Sequence, residues 1–461
     1  MSSNIILKSL GAAQNVTGSK HLLMTPELTI LVDCGLFQGL KALREKNWVP
    51  LQVDVTKIDV LLLTHAHLDH CGYIPLLVKQ GFRGKIYTSA PTRDLAEIIL
   101  YDSAKIQEED AENANRHKYT KHDPALPLYT SEDVKNAMLY FNAVEHNEEI
   151  KLSDNITVRF TRNGHILGSC SIQMTCFNKK LIFSGDIGRY TSTYMAAPLP
   201  LDPPDFVVME STYGDRLHGD ADPTKQLESV INDAIAAHGS VLIPSFAVGR
   251  AQEIMHILSM LKEENRIPKW IPIFMDSPMA ASVTNLFMRY PEWHTLTDKE
   301  CEEMCEDVTI NTDYHNTELI IKKHGPKIVI SSSGMLSGGR VLEYMQYMAG
   351  DKNNFILLIG YQAEGTRGRE LQNHAREIKL HGKYYAVNAN IVEITGLSGH
   401  ADQAELLRWL EPFEADRKAK IFLVHGEREV QDVFRVKVKT TMNAEVTILV
   451  ENEEMNLYET P

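Results

Sequence analysis

The chain has 461 residues, of which 43% are hydrophobic and 23% charged, so disordered and collagen-like classes are excluded and two or three domains are expected. With 61 acidic against 47 basic side chains the formal net charge is −14, which excludes a broadly basic nucleic-acid surface and leaves a local groove or bound cations to meet phosphates. No apolar run approaches the roughly 20 residues of a membrane span. No secretory signal precedes Gly11, and the six cysteines form no Cys-x-x-Cys pair, so a cytoplasmic protein with reduced thiols is expected.

Residues 5–7 and 28–33 read as strands joined by a turn containing glycine and serine, followed by an apolar strand at 58–64 and a helix at 73–79. Further strands are expected at 86–88, 157–161, 171–175 and 180–183, with a hairpin turn at Asn178-Lys179. Helices are expected at 92–115 and 131–141, the second opened by Ser131 and presenting Val134, Met138 and Phe141 on one face. The proline-rich stretch 198–204 marks a boundary. Beyond it, strands at 205–209, 240–243, 272–275, 327–331 and 354–360 are each followed by a helical pattern, the grammar of a parallel sheet with crossover helices. The tail adds a helix at 403–410 and strands at 420–424 and 445–450. The expected organisation is therefore one domain split in sequence (1–204 and 391–461) around an insert at 205–390.

The run His65-Ala66-His67-Leu68-Asp69-His70 closes the apolar strand. His65 and His67, two apart, point to the same side, while Asp69 and His70 turn elsewhere as the next helix begins. Imidazoles and a carboxylate without a thiolate suit a catalytic zinc rather than a closed structural site. Three more strand-end positions beside glycines complete the candidates: His165, Asp186 and His425.

Taken in order and spacing, His65-x-His67-x-Asp69-His70, His165 and Asp186 resemble the metallo-β-lactamase superfamily. Glu210 in Glu210-Ser211-Thr212-Tyr213-Gly214, His400 in Ser398-Gly399-His400-Ala401-Asp402, and His425 resemble motifs A, B and C of its β-CASP branch of RNA- and DNA-processing nucleases. The resemblance implies an α/β fold, a metallo-β-lactamase αββα sandwich with an inserted β-CASP domain of mainly parallel sheet flanked by helices. It implies two Zn²⁺ ions, with Mn²⁺ or Fe²⁺ as substitutes. His65, His67 and His165 would hold one ion, Asp69, His70 and His425 the other, with Asp186 bridging and Asp33 orienting a ligand imidazole. Asp69, His400 as general acid and Glu210 as its orienting partner form the catalytic set, cutting single-stranded RNA to leave a 5′-phosphate between the faces of the two domains.

The segment Ser331-Ser332-Ser333-Gly334, continuing to Arg340, follows a strand and is expected to open a helix, a combination suited to phosphate. Arg250, Arg367 and His374, together with Arg369 and Arg376, are expected to line the cleft beside it. A homodimer or a place in an RNA-processing complex is the expected assembly. The competing readings are a thioesterase- or lactonase-type hydrolase, a DNA nuclease of the same superfamily, and a non-catalytic scaffold.

Overall fold

Val158, Phe160, Ile172 and Met174 are buried, while Thr157, Arg159 and Gln173 between them are half-exposed. This is the two-residue period of strands with one covered face, and Ile156–Arg162 and Cys170–Cys176 pair antiparallel accordingly. The computed structural model describes residues 4–118, 122–219, 222–394, 396–413 and 419–458. They fall into two units, the first comprising Met1–Ser192, Ala196–Leu217 and His400–Pro461, the second Thr193–Met195 and His218–Gly399.

The first unit holds two seven-stranded sheets. One runs Glu454–Asn456, Ile6–Gly11, Lys20–Met24, Thr29–Val32, Val60–Leu62, Lys85–Ser89, Phe141–Val144, antiparallel up to Thr29–Val32 and parallel beyond. The other runs Glu445–Ile448, Lys420–Leu423, Phe206–Met209, Lys179–Phe183, Cys170–Cys176, Ile156–Arg162, Glu149–Lys151, parallel up to Lys179–Phe183 and antiparallel beyond. His21 of the first sheet stacks on Phe183 of the second, so the two face each other. Helices cover the outer faces. Ile74–Lys79, Ala90–His117 and Ser131–Met138 pack together beside the parallel end of the first sheet. On the second sheet, Leu406, Trp409 and Leu410 of Gln403–Leu410 and Phe434 and Val438 of Arg428–Met442 bury Val207, Met209, Ile421 and Leu423.

The second unit is built on a six-stranded, wholly parallel sheet in the order Thr309–Asn311, Ile273–Asp276, Ile328–Ser331, Val241–Pro244, Phe355–Ile359, Asn390–Ile394. Its inner strands are continuous apolar text because helices cover both faces. Val341, Tyr344, Met345 and Met348 of one helix close over Leu242, Val329, Ile356 and Leu358. A hairpin, Glu377–Leu380 with Lys383–Ala386, completes the unit.

Three element readings are corrected. The supposed turn between the first two strands contains a whole strand, Lys20–Met24, whose lysine and histidine are buried. The helix expected at 131–141 ends at Met138, and Phe141 instead opens a strand parallel to Lys85–Ser89. Phe206–Met209, read as the first strand of the inserted sheet, lies in the first unit between Lys179–Phe183 and Lys420–Leu423. All six cysteines are free thiols, five of them buried. Among the described residues no helix is long and apolar enough to cross a membrane.

Candidate metal centre

The histidine run leaves Val60–Leu62 at the point where Leu63 N donates to Tyr87 and Thr64 N to Asp33 Oδ1 (2.8 Å), so the strand is held on both sides until it turns. His67 then caps a single helical turn, Leu68–Cys71, which carries Asp69 and His70. Asp186 follows Lys179–Phe183 after Gly185, whose φ of +56° and closeness to Thr64 (2.9 Å from a Cβ) leave room for glycine alone. His165 is fixed by its N–H to Ser169 Oγ (3.0 Å) and His425 by its N–H to the Ala12 carbonyl (2.7 Å).

The folded chain brings these side chains into two donor groups, His65, His67, His165 and Asp186 in one and Asp69, His70 and His425 in the other. Asp186 faces both. Its Oδ2 lies 3.4 Å from His65 Nε2 and 3.5 Å from His165 Nε2, and its Oδ1 3.3 Å from His70 Nε2 and 3.5 Å from His425 Nδ1. His67 Nδ1 is 3.2 Å from His65 Nε2 and 3.1 Å from His165 Nε2. Asp69 Oδ2 is 3.2 Å from His425 Nε2 and 4.0 Å from His70 Nε2.

Charge and hydrogen bonding fit this set to cations. Burial pushes the His67 imidazole down to about 3 and lowers His65 and His165 as well, so these rings are held neutral, the form that binds a cation. Burial opposes ionisation of Asp186 and Asp69, yet the surrounding histidines hold both below the usual carboxylate range. His70 Nε2 and Asp186 Oδ1 are buried without a hydrogen-bond partner, an arrangement costing about 1–3 kcal/mol per group unless a cation sits between them.

Neighbouring carboxylate and hydroxyl groups orient the rings. His70 Nδ1 donates to Asp33 Oδ2 (2.8 Å), and the same carboxylate accepts Thr64 N and Oγ1. Thr64 Oγ1 meets His65 Nδ1 (3.1 Å), and Thr212 Oγ1 meets His425 Nδ1 (3.0 Å). Sequence reasoning missed both threonines, although Thr64 directly precedes the histidine run. Because such supports typically carry 10–100-fold in metal affinity, Asp33→Asn is expected to weaken metal binding by about that factor, measurable by titrating metal-stripped protein.

Beside these groups, and within the same unit, Glu210 and His400 form a pair that reaches Asp186. His400 Nδ1 lies 3.1 Å from Glu210 Oε2 and 3.2 Å from Oε1, and Glu210 Oε1 also accepts Ile187 N (2.5 Å). Glu210 is buried, whereas 16% of the His400 side chain is exposed. The backbone around His400 is pinned by Ala401 N to Ile187 O (2.8 Å) and by Asp402, which caps helix Gln403–Leu410 through a capping box with Glu405. Burial works against the charged imidazole, but Glu210 outweighs it and His400 is raised to about 9.

The phosphate-binding candidates lie in the second unit, and most are turned inward. Ser331 Oγ donates to the Asp276 carbonyl (3.0 Å), Ser332 Oγ to Ser277 Oγ (3.2 Å), and Ser333 Oγ accepts Ser337 N (2.9 Å). Gly334 packs against Phe246, and the helix after this loop, Val341–Met348, starts only beyond Arg340 and without a side-chain cap. Arg250 is buried and ion-paired with Glu253. Arg367 donates to the carbonyls of Lys379 (2.7 Å), Leu336 (2.9 Å) and Ser337 (3.2 Å). Arg369 stacks over Tyr361, and His374 and Arg376 are exposed.

Comparison with known proteins agrees over nearly the whole chain. The metallo-beta-lactamase superfamily domain matches residues 22–196, the Beta-Casp domain 251–371, and the Zn-dependent metallo-hydrolase RNA specificity domain 384–449. Ribonuclease TTHA0252 of Thermus thermophilus is 34% identical over 430 residues, covering 91% of this chain and 92% of that protein. An RNase J-like protein of Methanocaldococcus jannaschii is 32% identical over 95% of this chain and 96% of its own length. Transcription termination factor FttA of Methanococcus maripaludis is 32% identical over 91% of this chain but only 66% of the longer relative. A crystal structure of a protein of unknown function from Enterococcus faecalis, 11% identical, superposes with a TM-score of 0.56 over 98% of this chain and all of its own, a likeness of fold. With the αββα sandwich, the inserted parallel sheet and these matches together, the chain belongs to the metallo-β-lactamase superfamily, in its β-CASP branch of metallo-hydrolases.

Proposed function

We propose that the chain is a ribonuclease that hydrolyses phosphodiester bonds of single-stranded RNA with two Zn²⁺ ions and leaves a 5′-phosphate. The observation that carries this reading is the carboxylate of Asp186, which faces His65 and His165 with Oδ2 and His70 of the other donor group with Oδ1, with the Glu210–His400 pair beside it. Zinc is favoured by the first group. The four donor separations given above for it run from 3.1 Å (His67 to His165) to 3.5 Å (His165 to Asp186). A tetrahedron with bonds of about 2.0–2.1 Å has edges of about 3.3–3.4 Å. The ribonuclease names of relatives that match more than nine-tenths of this chain and of their own length support RNA as the substrate class.

Bound there, the two cations would lower the pKa of an attacking water and screen the charge of the phosphate. The chain's own residues supply the rest. Asp69 and Asp186, held ionised, balance the cationic charge. Leaving a 5′-phosphate means breaking the bond to the 3′-oxygen, and that oxygen departs needing a proton. His400 carries one at neutral pH and is oriented through Nδ1 by Glu210, so it is the group we assign to deliver it. Six free thiols suit a reducing, cytoplasmic compartment.

The test compares 5′-labelled RNA and DNA oligonucleotides with the wild type and Asp69→Ala. RNA should be cut, DNA cut at least about tenfold more slowly, and Asp69→Ala should be nearly inactive on both, since that side chain belongs to the second donor group. DNA cut as fast as RNA overturns the substrate assignment, and undiminished cleavage by Asp69→Ala overturns the two-ion mechanism. Product lengths separate endonucleolytic from 5′-exonucleolytic action.

A further inference from the structure

The hairpin connecting Ile6–Gly11 to Lys20–Met24 reaches the backbone of two ligands of the second donor group. The Ala12 carbonyl accepts His425 N (2.7 Å), the Asn15 carbonyl accepts Gly426 N (3.2 Å), and Ser19 N donates to the Asp69 carbonyl (2.8 Å). The first group's loops are held elsewhere: Leu63 N donates to Tyr87 O, Thr64 N to Asp33 Oδ1, His165 N to Ser169 Oγ, and the Asn163 side-chain amide to Ser184 O.

What fixes this hairpin is a buried histidine that no donor group uses. His21 pairs across the strands with Ser9, next to an irregularity between Ser9 and Gly11. Its Nδ1 lies 3.1 Å from Ser9 Oγ and its Nε2 3.2 Å from Ser19 Oγ. Donor accounting assigns the direction. Ser9 spends its only hydroxyl proton on the Gly11 carbonyl (2.8 Å), so it can only accept from His21, which must then carry its proton on Nδ1. Nε2 is therefore an acceptor and Ser19 is the donor. A one-way chain results, from Ser19 through His21 and Ser9 to Gly11, lacing both ends of the hairpin. Burial keeps the ring neutral, pushing it down to about 3. Gly11 has no alternative, because a Cβ there would lie 2.0 Å from the Gly18 carbonyl.

We propose that the Ser19–His21–Ser9 relay is a positioning device for the second metal site, setting the placement of Asp69 and His425 while leaving the first site independent. The inference rests on the two-ion reading above. Its consequence is asymmetric: breaking the relay weakens one ion and not the other, which a general loss of stability would not do.

The test titrates metal-stripped protein with Zn²⁺ alone, by calorimetry, in wild type, Ser19→Ala and His21→Phe, the last keeping the stack on Phe183. His21→Gln serves as a rescue, since its amide can both donate and accept. Wild type should take up two equivalents. In His21→Phe and Ser19→Ala the second should bind about 10–100-fold more weakly with the first unchanged, and His21→Gln should recover part of the loss. Phe82→Leu, a buried substitution outside the relay, is the control for stability and should keep both equivalents. Both equivalents binding as in wild type, or both weakening together, overturns the proposal; if His21→Phe does not fold, Ser19→Ala decides. A wild type that takes up a single equivalent overturns the two-ion reading, and this inference with it.

Discussion

Asp186→Ala is expected to lose both ions and to lower kcat/KM on RNA by at least about 10³–10⁴-fold. The reason is geometric. One carboxylate faces His65 and His165 with Oδ2 and His70 with Oδ1, so its removal opens both donor groups at once. Charge stabilisation by such ions is worth several kcal/mol, and each 1.4 kcal/mol is about a factor of ten in rate. Asp186→Asn keeps the volume and one acceptor oxygen, so it should hold a single ion weakly. Bound zinc per chain by elemental analysis, with single-turnover cleavage, checks both. A variant that keeps two ions and more than about a hundredth of the activity would remove Asp186 from the bridging role.

His400→Ala is expected to cost about 10²–10⁴-fold on RNA, the usual range for a positioned general acid. The loss should depend on the leaving group. An RNA 3′-oxygen needs the proton, whereas p-nitrophenolate departs without help, so bis-p-nitrophenyl phosphate should be hydrolysed by the variant within about tenfold of wild type. Equal losses on the two substrates would make His400 a structural residue. The pH profile gives a second reading. His400 acts as the acid form, and Glu210 raises it against the opposing effect of burial, to about 9 before any cation is bound, so activity falls along a basic limb as this acid loses its proton. Nearby cations move this basic limb to lower pH, and Glu210→Gln moves it lower again. The same sign governs stability: the favourable His400–Glu210 interaction is fully present below the unfolded imidazole value of about 6.5 and is lost as pH rises through about 9.

How much of this was legible in the sequence follows from how local each feature is. His65 to His70 could be read because an apolar strand, a turn and a helix start are neighbours in the chain. The parallel sheet of the second unit was readable for the same reason, from apolar runs such as Phe355–Ile359. Glu210 and His400 carry no local signal of their own and were reached through a family resemblance; only folding makes them a pair. Strand Lys20–Met24 was hidden because Lys20 and His21 look like loop residues. Lys20 is buried with its ammonium 4.5 Å from the Phe37 ring centroid and 5.0 Å from that of Tyr73, and His21 is satisfied by two serines. The arginines erred in the opposite direction. Composition treats a guanidinium as a surface group, but Arg250 is spent on Glu253 and Arg367 on the carbonyls of Lys379, Leu336 and Ser337. Polarity along the chain does not reveal which charges the fold encloses.

The parallel pairing of Phe206–Met209 with Lys420–Leu423 joins segments made far apart in time. His65, His67, His165 and Asp186 leave the ribosome early, but His425 waits for more than half of the chain to follow. At roughly 5–20 residues per second that delay is on the order of tens of seconds. During it the nascent chain can present its first donor group but neither the second nor the partner of Glu210. On the proposed reading, a ribonuclease is thus made on an RNA template while still lacking the pieces that would let it cut.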